Sequence, residues 1–173
     1  VWRLLAQTVQ GLDTQVEAYS IACNTLNHYE ARLRSLPLRA RLVSTQDVVR
    51  RLVRERGLAT VALLGARPVM EMGPWSAYRD LPKDVAVELP RDPGALHALI
   101  YDVKTRGGTA PDIVARFEAL LAELHAPVVL LACTELPLIP ARSARHELVD
   151  VTALLAQALA EIGQQPREAP RVA

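Results

Sequence analysis

The chain has 173 residues, half of them hydrophobic and 23% charged, which suffices to bury one sizeable core or two small lobes and excludes a disordered chain. Twenty Lys and Arg against nineteen Asp and Glu leave a formal net charge of +1, so no global field recruits nucleic acid or an anionic membrane. No apolar stretch reaches the length of a membrane span, because "VALLGA" and "PVVLLA" are each broken by polar groups, and "VWRLLAQTVQGLD" lacks the apolar core of a signal peptide. A cytoplasmic location is expected, where two cysteines stay reduced thiols.

The opening segment is short and amphipathic. Strand candidates follow at 16–22 and 41–44, each bounded by turn residues. "TQDVVRRLVRERG" then puts Val48, Val49, Leu52 and Val53 on one helical face and arginines on the other, with Gly57 as its stop. Further strands are expected at 60–65, 85–89 and 127–132, with a short one at 148–149. Between the last two long strands, "APDIVARFEALLAEL" reads as a helix opening on Pro111 and Asp112. "VTALLAQALAEIG" is the last expected helix, and Asp150 stands where its N-cap belongs; residues 164–173 have no apolar period and are expected to fray. β-branched runs alternating with amphipathic helices predict an α/β fold with parallel strands.

Cys23 and Cys133 are the only cysteines, and each follows an apolar run and precedes a hydroxyl or amide: "IACNT" and "LLACTE". Ligands of open α/β sheets bind beyond the carboxyl ends of strands, so both thiols are placed where a small carboxylate would dock. A helix N-terminus beside each is expected to lower its pKa. If one is thiolate and the other thiol, the first can remove a proton from carbon and the second can return one to the opposite face. Asn24, Thr25 and Thr134 would supply donors for the developing charge, and Glu135 would hold an ammonium group or order the site. The competing reading makes both cysteines small buried hydrophobes. A zinc site is not expected, since His28, His97, His125, His146 and the cysteines show no ligand-like grouping.

These motifs resemble those of the aspartate/glutamate racemase superfamily, and the glutamate after the second Cys-Thr is similar to its aspartate racemase branch. The resemblance extends through "VALLGARPVMEMGPW", "LIYDVKTRGG" and "LVDVTALLAQALA". It implies two pseudo-symmetric α/β lobes with parallel sheets flanked by helices and the active site in the cleft between them. One lobe would comprise 1–44 with 147–163, and the other 45–146. It also implies Cys23 and Cys133 as the acid/base pair, and Asn24, Thr25, Thr134 and Glu135 as the substrate shell. Lys104 is the nearest match to a family lysine, with Arg106 as the other candidate cation. No cofactor and no metal are implied, and family members are frequently homodimers.

The sequence departs from the family at Ala66 and Val69, where threonines are common, and at Asn27, where histidine is. The family also begins with a strand and an arginine-bearing loop for which no counterpart precedes Val1, so an N-terminally incomplete member is expected. Trp75 and Tyr78 read as packing residues three apart on a helix. The resulting expectation is a cofactor-independent amino-acid racemase, with aspartate and glutamate the first candidate substrates. The alternatives are another superfamily chemistry, such as hydantoin racemase or maleate isomerase, and a catalytically silent truncated homologue.

Overall fold

The structure is a computed structural model and describes residues 1–164. In chain order its elements are α1 (Trp2–Leu12), β1 (Ala18–Tyr19), α2 (Glu30–Arg34), β2 (Arg41–Leu42), α3 (Thr45–Glu55), β3 (Thr60–Gly65), α4 (Arg67–Met70), β4 (Ala86–Glu88), α5 (Pro93–Arg106), α6 (Pro111–Ala122), β5 (Val128–Ala132), β6 (Glu147–Asp150) and α7 (Val151–Gly163). Short 3₁₀ turns lie at Leu26–Tyr29, Leu81–Lys83 and Leu136–Leu138.

β3 and β5 are almost continuously buried, a pattern that requires cover on both faces of a sheet. They pair in parallel, with Leu63 opposite Leu130, and β4 and β6 extend the sheet to the order β4-β3-β5-β6. The two-residue period of a strand divides their side chains. Val61, Leu63, Val128 and Leu130 pack with Val49 and Leu52 of α3 and Leu155 of α7. Ala62, Leu64, Val129 and Leu131 face Leu96 and Leu99 of α5 and Ile113 and Phe117 of α6. Phe117 is wholly buried, and its truncation to alanine would cost about 3–5 kcal/mol.

The second sheet is small. β1 and β2 pair in parallel, and Val9, Tyr19, Ile21, Leu33 and Ala40 form a separate apolar cluster around it. Residues 147–150 correct the lobe assignment that the resemblance implied. β6 pairs with β5 in the larger sheet, Val149 opposite Leu130, because its apolar residues complete that sheet's edge. α7 then packs on α3 and also reaches β1, so it forms the seam between the sheets.

Helix ends follow the local chemistry. Ser44 caps α3 by accepting from Asp47 N at 3.2 Å, and Gly57 leaves the helix region behind it with φ +58. Asp150 caps α7, accepting from Thr152 N at 2.8 Å as expected. α5 was not anticipated, although Asp92 accepts from Ala95 N, Pro93 follows it, and Leu96, Leu99, Ile100 and Val103 give a helical stripe. No described helix is long and apolar enough to cross a membrane. The expected fraying beyond 164 lies outside the described residues.

Candidate active site

The two cysteine loops repeat one backbone device. Leu26 N donates to Cys23 O at 3.0 Å, and Leu136 N donates to Cys133 O at 3.3 Å; each bond opens a short 3₁₀ turn. At Cys133 the expected helix is a single 3₁₀ turn, too short to carry much of a dipole, whereas at Cys23 the turn runs on into α2. The loops differ in what surrounds the sulfur. Cys23 is exposed, whereas Cys133 is buried at 8% exposure.

The Cys23 loop is held from within. Asn27 is buried, and its Nδ2 donates to Ile21 O at 3.0 Å and to Cys23 O at 3.2 Å, tying the strand exit to the turn. The next residue, His28, lies against Trp75, with ring centroids 4.3 Å apart. Thr25 starts the turn and is exposed.

Cys133 is held by its own turn. Its Sγ donates to Glu135 Oε2 at 2.8 Å, and Thr134 Oγ1 donates to the same oxygen at 3.0 Å. Lys104 Nζ lies 3.6 Å from the other carboxylate oxygen. Burial, then the hydrogen bond to an anionic acceptor, pushes the Cys133 thiol up to about 12. That corrects the expectation of a lowered pKa here, because desolvation and a neighbouring carboxylate outweigh one turn of 3₁₀ helix. Glu135 is held below the usual carboxylate range: its burial acts upward, but hydrogen bonds from Cys133, Thr134 and the backbone, with Lys104 nearby, prevail. Arg106, the other candidate cation, instead forks onto Asp112 at 2.8 and 2.6 Å, which leaves Lys104 beside the thiol–carboxylate pair.

Glycines let the chain approach closely around this loop. A Cβ on Gly65 would lie 2.8 Å from Ala132 O, and one on Gly108 would lie 2.6 Å from the Leu138 carbonyl carbon. The end of β3 and the α5–α6 turn thus brace both ends of the Cys133 loop.

Tyr78 contacts the Cys23 loop. It belongs to an irregular segment rather than a helix, fixed where Ser76 Oγ donates to Val69 O at 2.8 Å and accepts from Tyr78 N at 3.1 Å. Its hydroxyl, fully buried, donates to Asn24 Oδ1 at 2.5 Å. Burial holds its ionisation far above the ordinary value, and the proximity of Cys133 adds to the shift. One phenol therefore touches the residue after Cys23 and lies within electrostatic reach of Cys133. Asn24 Nδ2 is buried with no acceptor among the described residues, at a cost of about 1–3 kcal/mol.

No family model and no curated protein sequence matches the chain. Solved structures do. An aspartate racemase homologue from Pyrococcus horikoshii superposes with TM-score 0.75 at 23% identity, over 94% of this chain and 74% of that one. The aspartate racemase of Picrophilus torridus gives 0.74 at 19% identity, over 92% and 68%. A glutamate racemase from Francisella tularensis, in complex with D-glutamate, gives 0.71 at 17%, over 92% and 62%. The chain has the fold of the aspartate/glutamate racemases. Within that fold Cys133, Thr134, Glu135 and Lys104 form one cluster, and Asn24 is hydrogen-bonded to Tyr78.

Tyr78 and Asn27 are the residues that sequence reasoning missed as parts of this site. An aromatic read by its spacing alone looks like packing, and Tyr78 does fill the core; only its hydroxyl distinguishes it. Two roomy recesses, about 380 and 400 Å³, open between α3 and α7, but ion pairs such as Arg51–Glu161 line them and neither cysteine loop does.

Proposed function

We propose that the chain is an amino-acid racemase that needs no cofactor, acts on aspartate or glutamate, and uses Cys23 and Cys133 as acid and base on opposite faces of the α-carbon. The observation that supports this reading is the hydrogen bond from the Cys133 thiol to Glu135 at the end of β5. A thiol that donates to a carboxylate holds its proton, so Cys133 starts the cycle as the acid and Cys23 as the base.

In the forward direction Cys23 thiolate takes the α-hydrogen as a proton, and the electron pair left behind delocalises into the substrate carboxylate. Donors at Asn24 and Thr25 meet that charge, while the Thr134 hydroxyl stays on Glu135. The Cys133 proton then passes to the α-carbon from the other face. A carbanion is a far stronger base than a thiolate, so a thiol with a pKa of about 12 still delivers downhill. Cys133 is left anionic beside Glu135, which favours its rapid reprotonation, with Lys104 offsetting part of the repulsion.

The test is deuterium uptake from solvent at the α-carbon of L- and D-aspartate and glutamate, followed by proton NMR with chiral analysis. Uptake into both enantiomers, abolished by Cys23→Ser and by Cys133→Ser, is expected. Turnover of hydantoins or maleate alone would move the protein to another chemistry of the same fold, and absence of all turnover would make it a silent homologue.

A further inference from the structure

We infer that Tyr78 is a positioning residue whose hydroxyl fixes the Asn24 amide with its oxygen toward the phenol, so that Nδ2 is the edge left for an anionic ligand. The identity of that ligand, a substrate carboxylate, rests on the racemase reading; the contact itself does not.

The argument begins with the ambiguity of an amide. Its two ends have nearly the same shape, so a side chain such as Asn24 takes its orientation from the groups around it. Asn27 is fixed by two carbonyls, Ile21 O and Cys23 O, which accept only from its nitrogen. The Asn24 side chain is hydrogen-bonded to the Tyr78 hydroxyl, which donates to Oδ1 and lies wholly buried. Reversing the amide would leave the hydroxyl proton unpaired in the core and turn an oxygen toward any bound carboxylate, which repels it. With the orientation kept, Nδ2 is a buried donor still lacking an acceptor. An incoming carboxylate supplies one. Tyr78 is itself set by Ser76, whose hydroxyl is anchored on Val69 O, so the orientation of Asn24 is ultimately fixed by the segment after α4.

The chain contains two asparagines, Asn24 and Asn27, so labelling with ¹⁵N-asparagine gives two side-chain NH₂ pairs in a proton–nitrogen correlation spectrum. The pair lost in Asn24→Asp identifies Asn24. On titration with L-aspartate, the Asn24 pair is expected to move and the Asn27 pair to stay. In Tyr78→Phe the Asn24 pair should shift or broaden before ligand is added, the Asn27 pair should stay, and the aspartate dissociation constant should rise about tenfold, the loss of one well-aimed hydrogen bond. Asn24→Asp keeps the acceptor for Tyr78 and removes the donor, so it should fold and lose at least as much affinity. An Asn24 pair unmoved by Tyr78→Phe overturns the inference, whatever aspartate does. So does an Asn24→Asp protein that binds aspartate as tightly as the parent. If Tyr78→Phe displaces the Asn24 pair but aspartate moves neither pair in the parent, the positioning role stands and the racemase reading fails.

Discussion

Raising the pH should destabilise the protein through one sulfur atom, and by a calculable amount. Cys133 ionises at an ordinary value of 9.0 in the unfolded chain and is pushed up to about 12 in the folded one by burial and by Glu135. Between those values the unfolded state binds fewer protons than the folded state, so stability declines as pH rises; below pH 9 the contribution is fully present. The decline is about 1.4 kcal/mol per pH unit, which makes roughly 3 kcal/mol from pH 9 to 11 and about 4 kcal/mol over the whole window, as upper figures. Tyr78 is shifted in the same direction and adds a loss of the same sign above its ordinary value of 10.0. Cys133→Ala separates the two. It lowers stability at every pH by removing packing and a hydrogen bond, but it has no thiol to titrate, so its curve should fall less steeply. Urea unfolding followed by far-UV circular dichroism at half-unit steps from pH 8 to 11 supplies the curves, and their difference in slope is the quantity of interest. Parallel curves would refute the reasoning, because they would mean that the thiol ionises in the folded state as it does in the unfolded one.

Two further outcomes follow from the braces around the same loop. Gly108→Ala places a methyl group 2.6 Å from the Leu138 carbonyl carbon; the displacement should cost about 1–3 kcal/mol and lower the thermal midpoint by several degrees, measured by calorimetry. Glu135→Gln, made in a Cys23→Ser background so that one thiol remains, should lower the Cys133 titration midpoint by about 1–2 units, read as thiolate absorbance at 240 nm. An unmoved midpoint would mean that burial alone holds the proton.

The larger sheet was legible because its signals are local. A strand covered on both faces must be apolar throughout, and "TVALLG" and "VVLLA" are; α3 and α6 advertise themselves by period, and α7 by its aspartate cap as well. Of the candidate site, Cys133, Thr134, Glu135 and Lys104 were named from the sequence and lie together in the fold. What escaped is nonlocal. That Tyr78 meets Asn24 depends on how an irregular segment folds back over 54 residues of separation, and no spacing rule encodes it. The partnership of β6 with β5 escaped for the same reason, because a four-residue strand can join either sheet until the surrounding packing decides. The expected fall in thiol pKa fails at Cys133, where the fold supplies a single 3₁₀ turn and burial with a neighbouring carboxylate outweighs it.

The two loops share a backbone device and, on the proposed mechanism, divide the chemistry. In both, a cysteine carbonyl accepts the amide of the leucine three residues on, although Cys133 directly follows β5 and is buried while Cys23 lies beyond the end of β1 and is exposed. Acid and base cannot be identical at the start of a turnover, however, and the difference must come from side chains. Glu135 provides it on one side, as an acceptor that keeps a proton on sulfur, while the equivalent position on the other side is Thr25, which carries no charge. Asn24 occupies the position equivalent to Thr134, and there the division runs the other way: Thr134 turns its hydroxyl onto Glu135, while Asn24 keeps a donor unspent. The like turns thus carry a proton on one side and an unpaired donor on the other, the asymmetry that the proposed two-thiol inversion would need at its start.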